Sequence, residues 1–547
     1  MKAGLLLSMK IYPVKIYLSI IIIAITSWLS AQNWLQAHRW GSSGSDISGG
    51  LSACSDGGVV LAGTFQQNIL IGNQLLQSAG MDDVLLLKTD AEGRPVWAKR
   101  AGGSLNETVT ALATDANDHI ICAGSFLISA EFDDFSLNAE QNPRALFLVK
   151  YTPDGQVQWA QSVLGPGLKS ITGLACDTAG NIFLTGFFGQ TLSLGDTLLR
   201  AEGDTDFFAA KLSPAGTLHW ALRQGQQGDT RGTALALTAS SDLIVAGYFN
   251  DTTRIADTVL TANTADRDVF LTRISSEGQP RWAKKAGGVF DKDVTAIAID
   301  EMDRIYLTGY LVGVLRLSAE LSIQSATGNP DFFLLQYTPD GTPLRGRALG
   351  GRDTQQAMGA YWQEGHLVVA GFYQGEMTFD GFSFAAGTRF HGFRAVFNEA
   401  FVCQDAQDIP ATQGAFVSHI VPGAAGESWV SGSFQGQVFF DEIELSAPAG
   451  FDIFLAKAGS MPTSAPDFAI KNIHWNAFPN PATELLFLQT NATDYTATLY
   501  DIQGRTVRQV RNSDSLPVHD LPDGIYWLQW QSTAAKHTQK IMVQKRR

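Results

Sequence analysis

The sequence predicts an all-β protein, a seven-bladed β-propeller followed by a small Ig-like β-sandwich. The first observation is a short apolar phrase around a glycine, such as "IVAGYF" at 244–249, which recurs along the chain. The second is its regular spacing of 61 or 62 residues, which indicates an internal repeat. The third is that each repeat holds short apolar runs between turn residues, a pattern typical of strands. The glycines that number repeats 1 to 7 are Gly63, Gly124, Gly186, Gly247, Gly309, Gly371 and Gly432.

Repeat 2 shows how one copy should fold. The runs "VTALATD", "HIICAGSF", "ALFLVKY" and "QVQWAQS" predict about four strands, and the "TPDG" between the last two predicts a type I turn that joins them into a hairpin. No segment beyond the N-terminus keeps a helical period long enough to predict a helix. Each repeat is therefore expected to form a four-stranded antiparallel sheet.

The length of the array favours radial packing of these sheets. Residues 34–458 are too many for a single hydrophobic core, whereas small sheets that pack on their neighbours share a chain of cores. A β-solenoid is the alternative, although its repeats are usually shorter. The repeated glycine is interpreted as a β-bulge or a close approach between backbones.

The two ends of the array complement each other. The segment "NWLQAHRWGSSGSD" at 33–46 matches the Trp-containing strand of a repeat, and the last repeat stops at "DIFLAKA" (452–458) without such a strand. We expect residues 33–39 to pair with residues 452–457, because this pairing leaves no exposed sheet edge.

The repeat resembles a known family. Its pattern, a "D-x-F-L-x-K-Y" strand, a "W-A" strand, "T-A-x-A-x-D" and "I-Y-L-T-G-x-F", is similar to the bacterial β-propeller repeat known as SBBP over about residues 33–458. Copies two to four fit well, whereas copy six lacks the Asp, the basic residue and the Trp. The resemblance implies a seven-bladed propeller and carries little information about function.

The N-terminus predicts export. Three lysines precede an apolar run over residues 16–29, and "LSA" follows, which is the pattern of a secretory signal peptide over residues 1–31. Cleavage is expected between Ala31 and Gln32. No other apolar stretch approaches the length of a membrane span, so the mature chain is expected to have none.

The C-terminal segment has sequence motifs that are different from those of the repeats. A linker at 459–471 leads into residues 472–547, which contain "PNP", "TLYDIQGR", "LPDGIYWLQW" and "QKIMVQK" in that order. This segment resembles the type A C-terminal sorting domain of the Bacteroidetes type IX secretion system. The resemblance implies an Ig-like sandwich, the type IX machinery as a partner, and a protein that is secreted or held on the outer cell surface. Residues 32–458 would then be the propeller.

Composition and motifs point away from several functions. The net charge of −14 argues against nucleic acid as a partner, and four cysteines in 547 residues are too few for a disulfide scaffold. G-x-S-x-G, H-E-x-x-H, C-x-x-C and a phosphate-binding glycine loop are all missing, and the nine histidines are scattered. We therefore predict no enzyme activity, no cofactor and no metal.

A recurring aspartate precedes the "F-L-x-K" strand. It could form a ring of carboxylates that binds a cation, or it could accept backbone N–H groups at the start of a strand. Its use in most repeats favours the structural interpretation. The residues are Asp83, Asp206, Asp268, Asp331 and Asp452.

Departures from the repeat mark the candidate binding site, because a site on a symmetric scaffold requires local differences. They are concentrated in residues 345–366 and 385–410, where arginines and aromatic residues accumulate. Decay of the repeat without any function is the alternative. The candidate ligand-binding residues are Arg352, Tyr361, Trp362, Arg389, Phe390 and Arg394.

The predicted function is that of a secreted or cell-surface scaffold. A non-catalytic binding, matrix or adhesion protein that recognises an extracellular glycan or protein fits the missing catalytic motifs. The alternative is a secreted hydrolase or lyase with its active site at the mouth of the propeller channel.

Overall fold

A computed structural model describes residues 34–142, 144–262, 266–459, 475–478, 482–490, 495–503, 505–513, 515–532 and 536–545. The predicted signal peptide, with its cleavage between Ala31 and Gln32, lies outside the described residues. The chain divides into two compact units, residues 1–461 and 462–547. The described part is all-β, with one 3₁₀ turn at Ala424–Gly426 as its single helical element. The finer domain boundaries stay predictions.

The strands of the N-terminal unit follow one another at short intervals. In repeats 1 and 2 and the strand before them they are β1 (Trp34–Trp40), β2 (Ile47–Ala53), β3 (Val59–Phe65), β4 (Asn68–Ile71), β5 (Gln74–Gln77), β6 (Asp83–Thr89), β7 (Pro95–Ala101), β8 (Glu107–Thr114), β9 (Ile120–Phe126), β10 (Ser129–Phe132), β11 (Phe135–Asn138), β12 (Ala145–Tyr151) and β13 (Val157–Val163). In repeats 3 to 5 they are β14 (Lys169–Cys176), β15 (Ile182–Phe188), β16 (Thr191–Leu194), β17 (Thr197–Arg200), β18 (Asp206–Leu212), β19 (Leu218–Gln224), β20 (Thr230–Leu237), β21 (Leu243–Phe249), β22 (Thr252–Ile255), β23 (Thr258–Thr261), β24 (Asp268–Ile274), β25 (Pro280–Gly288), β26 (Lys292–Ile299), β27 (Ile305–Leu311), β28 (Val314–Arg316), β29 (Ser322–Gln324), β30 (Asp331–Tyr337) and β31 (Pro343–Leu349). In repeats 6 and 7 they are β32 (Gln355–Gln363), β33 (His366–Phe379), β34 (Phe382–Asn398), β35 (Cys403–Ile409), β36 (Gly414–Pro422), β37 (Ser428–Gln435), β38 (Gln437–Phe440), β39 (Ile443–Ser446) and β40 (Asp452–Ala458).

Each repeat forms a four-stranded antiparallel sheet, whose strands we call A to D in the order of their pairing. The sets are β2-β3-β6-β7, β8-β9-β12-β13, β14-β15-β18-β19, β20-β21-β24-β25, β26-β27-β30-β31, β32-β33-β34-β35 and β36-β37-β40-β1. The hairpin predicted from "ALFLVKY" and "QVQWAQS" is confirmed by the pairing of β12 with β13.

The repeats also contain a hairpin that the sequence pattern did not predict. It lies between strands B and C, as in β4–β5 and β10–β11, and its strands have three or four residues each. In repeat 6 the hairpin is continuous with its neighbours, so that β33 and β34 extend to 14 and 17 residues. These runs are short and half exposed, which is why an apolar pattern did not reveal them.

The A strands lie next to one another at the centre. The A strand of each repeat contacts that of the next, and β36 of repeat 7 contacts β2 of repeat 1. Apolar side chains of adjacent sheets pack between them, for example those of repeats 4 and 5. The result is a propeller-like repeat fold.

The pairing of the two ends is confirmed. Strand β1 pairs antiparallel with β40, from Trp34 opposite Ala458 to Trp40 opposite Ile453. The Trp34 side chain is fully buried and packs edge-on against Phe440, with 5.1 Å between the ring centroids. The first strand of the array thus serves as strand D of the last repeat.

The recurring Trp of strand D packs on the next repeat. The Trp97 indole N–H donates a hydrogen bond to the carbonyl of Pro153 at 3.0 Å, and its ring lies against Gly155 in the same turn. Gly155 has a φ of 82°, where glycine is favoured, and a Cβ there would lie 3.1 Å from the Trp97 ring. The Trp and the turn glycine therefore join neighbouring repeats.

The repeated glycine marks a close approach between strands A and B, as the sequence pattern predicts. A Cβ on Gly247 would lie 1.9 Å from the carbonyl oxygen of Arg231, and one on Gly186 would lie 1.9 Å from that of Ser170. No other residue fits there without moving the backbone.

The C-terminal unit is built from short strands around its own core. The strands are β41 (Trp475–Phe478), β42 (Leu485–Thr490), β43 (Tyr495–Tyr500), β44 (Thr506–Arg511), β45 (Ser515–Pro517), β46 (Gly524–Ser532) and β47 (Lys536–Val543). They form one sheet in the order β41-β42-β45 and another in the order β44-β43-β46-β47. Side chains from both sheets, such as Leu486, Leu499 and Leu528, form a single buried cluster.

Candidate functional site

The A strands enclose a central channel with a volume of about 540 Å³. Every A strand contributes to its wall, and every one has a β-bulge at the same position. The bulge places one extra residue in each A strand, and this residue lines the channel. The residues are Gly49, Thr110, Thr172, Thr233, Thr295, Met358 and Ser418, so that every repeat except the first contributes a side chain.

The bulge threonines link successive repeats around the channel. The Thr110 hydroxyl donates a hydrogen bond to the carbonyl of Ile171 at 2.6 Å, and the Thr172 hydroxyl donates to the carbonyl of Gly232 at 2.7 Å. Thr233 and Thr295 make the same bond to Val294 and Ala357. The channel wall is thereby fixed at four of the boundaries between repeats.

Two titratable groups line the channel. Burial raises the pKa of the Asp293 carboxyl to about 7, although the nearby Arg267 acts in the opposite direction. Burial lowers the pKa of His419 to about 4, so its imidazole is neutral at pH 7. The His419 Nδ1 atom has no hydrogen-bond partner within the described part of the chain. The channel can therefore offer one carboxyl group that titrates near neutral pH.

One end of the channel is asymmetric. The residue after each repeated glycine lies at the end of strand B, beside the start of strand A, where Ser170 and Asp293 line the channel. We call this end the channel mouth. The residue is aromatic in repeats 3 to 6 but carries a small hydroxyl group in repeats 7, 1 and 2. Around the ring these residues are Thr64, Ser125, Phe187, Tyr248, Tyr310, Phe372 and Ser433.

The four aromatic residues, Phe187, Tyr248, Tyr310 and Phe372, form what we call the aromatic arc. Phe187, Tyr310 and Phe372 are half-buried, whereas Tyr248 is 5% exposed. Their backbone positions are equivalent to those of the hydroxyl residues opposite, so the fold itself does not require an aromatic ring there. The arc is a local difference on a repetitive scaffold.

Two arginines stack within the arc. The Arg231 guanidinium carbon lies 4.5 Å from the ring centroid of Phe187 and 5.8 Å from that of Tyr248. The Arg267 guanidinium carbon lies 4.3 Å from the Tyr248 centroid. Rings and cations therefore alternate from Phe187 to Arg267, an arrangement in which each guanidinium is attracted to an aromatic face.

A phenylalanine cluster continues the arc into repeats 6 and 7. Phe416 has ring centroids of Phe372 and Phe390 at 5.2 and 5.0 Å, and Phe451 follows at 6.1 Å. All four side chains are half-buried. The mouth is thus aromatic over more than half of its circumference.

The six candidate residues from the sequence do not form one cluster. Phe390 belongs to the phenylalanine cluster at the mouth, and Arg352 and Arg389 are exposed. Trp362 stacks on Tyr306 with 4.6 Å between centroids, and its indole N–H bonds the Glu301 carboxylate.

Tyr361 and Arg394 occupy the interior instead of a surface. Arg394 is fully buried, donates to the Ser428 hydroxyl at 3.1 Å and pairs with Asp405. The Tyr361 hydroxyl shares the same Ser428 at 2.7 Å. These contacts join repeats 6 and 7. A role in ligand binding stays a prediction for all six residues.

The recurring aspartate has the contacts of a structural residue. Asp206 is fully buried, accepts hydrogen bonds from the backbone N–H groups of Glu202 and Gly203, and pairs with Arg223 of strand D at 2.8 Å. Asp83, Asp268 and Asp452 pair with a basic residue of strand D in the same way. Within the described ranges no group of three or more His, Cys, Asp or Glu side chains could hold a metal ion.

The residues of the aromatic arc escaped the sequence analysis, although the signal was present in the repeated phrase. The repeated glycine is the constant position of the phrase, and the residue that follows it is the variable one. Its change from Thr or Ser to Phe or Tyr, in four consecutive repeats, is the sequence signal of the candidate site. The same holds for the threonine of "T-A" in repeats 2, 4 and 5 and of "T-G" in repeat 3, which forms the bonds around the channel.

The comparisons with known proteins concern the tail and, more distantly, the repeats. Residues 476–544 match the family described as the secretion system C-terminal sorting domain. An uncharacterized WD repeat-containing protein of Acanthamoeba polyphaga mimivirus is 24% identical over 380 residues, which are 56% of this chain and 27% of that protein. The regulatory protein FlaEY of Caulobacter vibrioides is 25% identical over 202 residues, which are 35% of this chain and 20% of that protein. The chain thus spans only about a quarter of the length of these relatives.

Among solved structures, a Synechocystis apocarotenoid oxygenase aligns with a TM-score of 0.36 and 11% identity, covering 77% of this chain and 95% of that one. No helix in the described ranges is both long enough and apolar enough to cross a membrane. The C-terminal residues 476–544 are a secretion system C-terminal sorting domain, and they mark the protein as one that type IX secretion releases from the cell or anchors on its outer surface.

Proposed function

We propose that residues 32–458 form a closed seven-bladed β-propeller, which acts outside the cell as a non-catalytic binding or adhesion scaffold. The ring is supported by the contacts from each A strand to the next, including those of β36 with β2. It is also supported by β1, which supplies the fourth strand of the last sheet. Two sheets around a single core support an Ig-like sandwich at the C-terminus.

The aromatic arc is the observation that carries the binding function. Residues at equivalent backbone positions in repeats 7, 1 and 2 are small and hydroxylated, so packing does not explain the rings of repeats 3 to 6. Half-buried aromatic side chains around a concave opening are typical of binding sites. The ligand would therefore sit at the channel mouth and contact the arc.

The test replaces two rings of the arc by the residue of another repeat. Tyr310→Thr combined with Phe372→Thr copies the position of Thr64, so the fold should tolerate both changes. We expect the ligand affinity of the secreted protein to fall about tenfold, because each aromatic contact contributes about 0.5–1.5 kcal/mol. Binding would be measured by calorimetry with hits from a panel of glycans and peptides.

The matched control is Leu75→Thr, which removes an apolar side chain that is 63% exposed on the β4–β5 hairpin. This variant should bind like the wild type. Unchanged affinity of the arc variant for every ligand, with an unchanged melting temperature, would contradict binding at the mouth.

A secreted hydrolase or lyase with its site at the same mouth is the second candidate. The observation in its favour is Asp293, which lines the channel and has a pKa of about 7, suited to a general acid. The same panel is scored for turnover, and Asp293→Asn is compared with the wild type. Turnover that is lost in Asp293→Asn would support the enzyme and reject the non-catalytic scaffold.

A further inference from the structure

We propose that the ligand at the channel mouth is an acidic glycan, whose sugar carboxylates bind Arg231 and Arg267 while its rings pack on the aromatic arc. This inference rests on the proposed binding function of the mouth. It adds the chemical class of the ligand, which neither the sorting domain nor the repeat pattern indicates.

Neighbouring side chains hold the guanidinium of Arg231 in place, but not all of its N–H donors take part in hydrogen bonds. The Nε of Arg231 donates to the Thr205 hydroxyl and its Nη2 pairs with Asp229, both at 3.1 Å, whereas its Nη1 has no hydrogen bond to any described residue. A guanidinium has five N–H donors in a planar fork that matches a carboxylate. Arg231 therefore keeps donors available for a ligand.

Arg267 makes fewer polar contacts than Arg231. Its guanidinium rests on the Tyr248 ring, and it makes no hydrogen bond or ion pair with the residues that the structure describes. It is half-buried, directly before strand C of repeat 4. The nearby carboxyl groups of Asp291 and Asp293 attract Arg267 by charge, but among the described residues they form no ion pair with it. Its N–H donors are therefore available to bind an anion.

A third arginine lies at the equivalent position two repeats before Arg267. Arg144 directly precedes strand C of repeat 2, as Arg267 precedes that of repeat 4, and it is exposed. Its Nη1 lies 3.4 Å from the Ser125 hydroxyl. Arginines therefore lie at the mouth in both repeat 2 and repeat 4 of a chain whose net charge is −14.

The surrounding side chains favour a glycan over an acidic peptide. The C–H faces of sugar rings pack on aromatic rings such as Tyr310 and Phe372, and the sugar hydroxyls find hydrogen-bonding groups on the opposite arc. Those groups include the hydroxyl of the half-buried Thr64 and the exposed guanidinium of Arg144. The carboxylates of an acidic peptide could also pair with the arginines. Such a peptide would lack the sugar rings that pack on the aromatic side chains and the hydroxyls that form hydrogen bonds opposite them.

The experiment measures binding of the full secreted chain to polygalacturonate, alginate and hyaluronan. Fully methyl-esterified polygalacturonate is the matched ligand without charge, and poly-glutamate represents an acidic peptide. We expect at least one acidic glycan to bind, with about tenfold lower affinity for its uncharged form or for Arg267→Gln. Arg267→Lys, which keeps the charge, should recover part of the loss, and Arg254→Gln, which removes an exposed charge from β22 of the same repeat, should change nothing.

Several results would overturn the acidic glycan. They are no binding of any of the three polymers, equal binding of the esterified form, an unchanged affinity of Arg267→Gln, and tighter binding of poly-glutamate. The failure of the proposed function itself looks different. If Tyr310→Thr with Phe372→Thr weakens binding of a neutral glycan while Arg267→Gln does not, the mouth is the site and only the ligand class is wrong. If neither variant affects any ligand, the mouth is not the site.

Discussion

Glu107 and Asp83 bring two buried carboxyl groups together at the boundary between repeats 1 and 2. Both side chains are fully buried, and Asp83 is paired with Arg100 at 3.1 Å. Burial raises the pKa of Glu107 to about 8; the backbone N–H of Gly103 opposes this shift and the charge of Asp83 adds to it. The closure boundary has a similar pair, because burial raises the pKa of both Asp46 and Asp452, the latter to about 6.

The first prediction concerns this residue and pH. The folded protein holds the Glu107 proton more tightly than the unfolded chain, in which the pKa is about 4.3. The free energy of unfolding should therefore fall as the pH rises from about 4.3 to about 8, by about 3.5 kcal/mol between pH 5 and pH 8. Glu107→Gln cannot ionise, so it should be more stable than the wild type at pH 8 and lose less stability with pH.

The measurement is chemical unfolding of the wild type and the variant at a series of pH values. Asp46 and Asp452 act in the same direction, so the comparison of the two proteins isolates Glu107. The exposed Glu140→Gln is the control and should follow the wild type. Parallel curves for Glu107→Gln and the wild type would show that Glu107 keeps its charge in the folded protein.

At the level of elements, the bulged A strands determine how one repeat joins the next. The Thr172 hydroxyl bonds the carbonyl of Gly232 in the following repeat, and Thr110 and Thr233 make equivalent bonds. Each bond crosses a boundary at which the two A strands contact through side chains and not through a backbone ladder. The bulge threonine is therefore the polar link between neighbouring sheets.

The second prediction removes one of these links. Thr172→Val keeps the shape of the side chain but leaves the Gly232 carbonyl without its donor, so it should cost about 1–3 kcal/mol. Thr172→Ser keeps the hydroxyl and should cost less. Equilibrium unfolding in urea checks both variants side by side. A valine variant as stable as the serine variant would mean that the hydroxyl contributes only shape.

At the scale of the whole molecule, stability depends on the pairing of β1 with β40. Trp34 is fully buried against Phe440, and Arg39 pairs with Asp452 at 2.8 Å. Without β1 the last sheet would have three strands and an exposed edge. Because the first and last segments meet there, loss of this strand should weaken the whole array.

The third prediction tests that dependence. Trp34→Ala should lower the free energy of unfolding by about 3–5 kcal/mol, the usual cost of emptying a buried Trp position. Deletion of residues 34–40 should lower the melting temperature further and expose β40 to aggregation. Val96→Ala is the control, because Val96 is a 59% exposed apolar residue of the D strand in repeat 1. A deletion variant that melts like the wild type would contradict closure through β1.

The sequence predicted the fold more completely than the site. The spacing of the repeated glycines, the Trp of strand D and the complementary ends led to the strand content and to the pairing of β1 with β40. The hairpins between strands B and C were missed, because runs such as "NILI" are too short to show a period. Among the candidate residues, Phe390 lies at the mouth, whereas Tyr361 and Arg394 depart from the repeat but are buried between two sheets.

The repeat, its strands, the pairing of its ends and the sorting domain can all be predicted from the amino-acid sequence alone. Each of these features depends on a local motif or on the regular spacing between motifs. Both can be recognised in the amino-acid sequence without knowledge of the fold. Which departures from the repeat meet at the channel mouth could be seen only in the folded chain. Phe187, Arg231 and Tyr248 belong to different strands of two repeats, and they meet because the A strands converge on one axis. Convergence brings the same position of every repeat to one opening, so a change that looks minor in each phrase becomes one continuous surface.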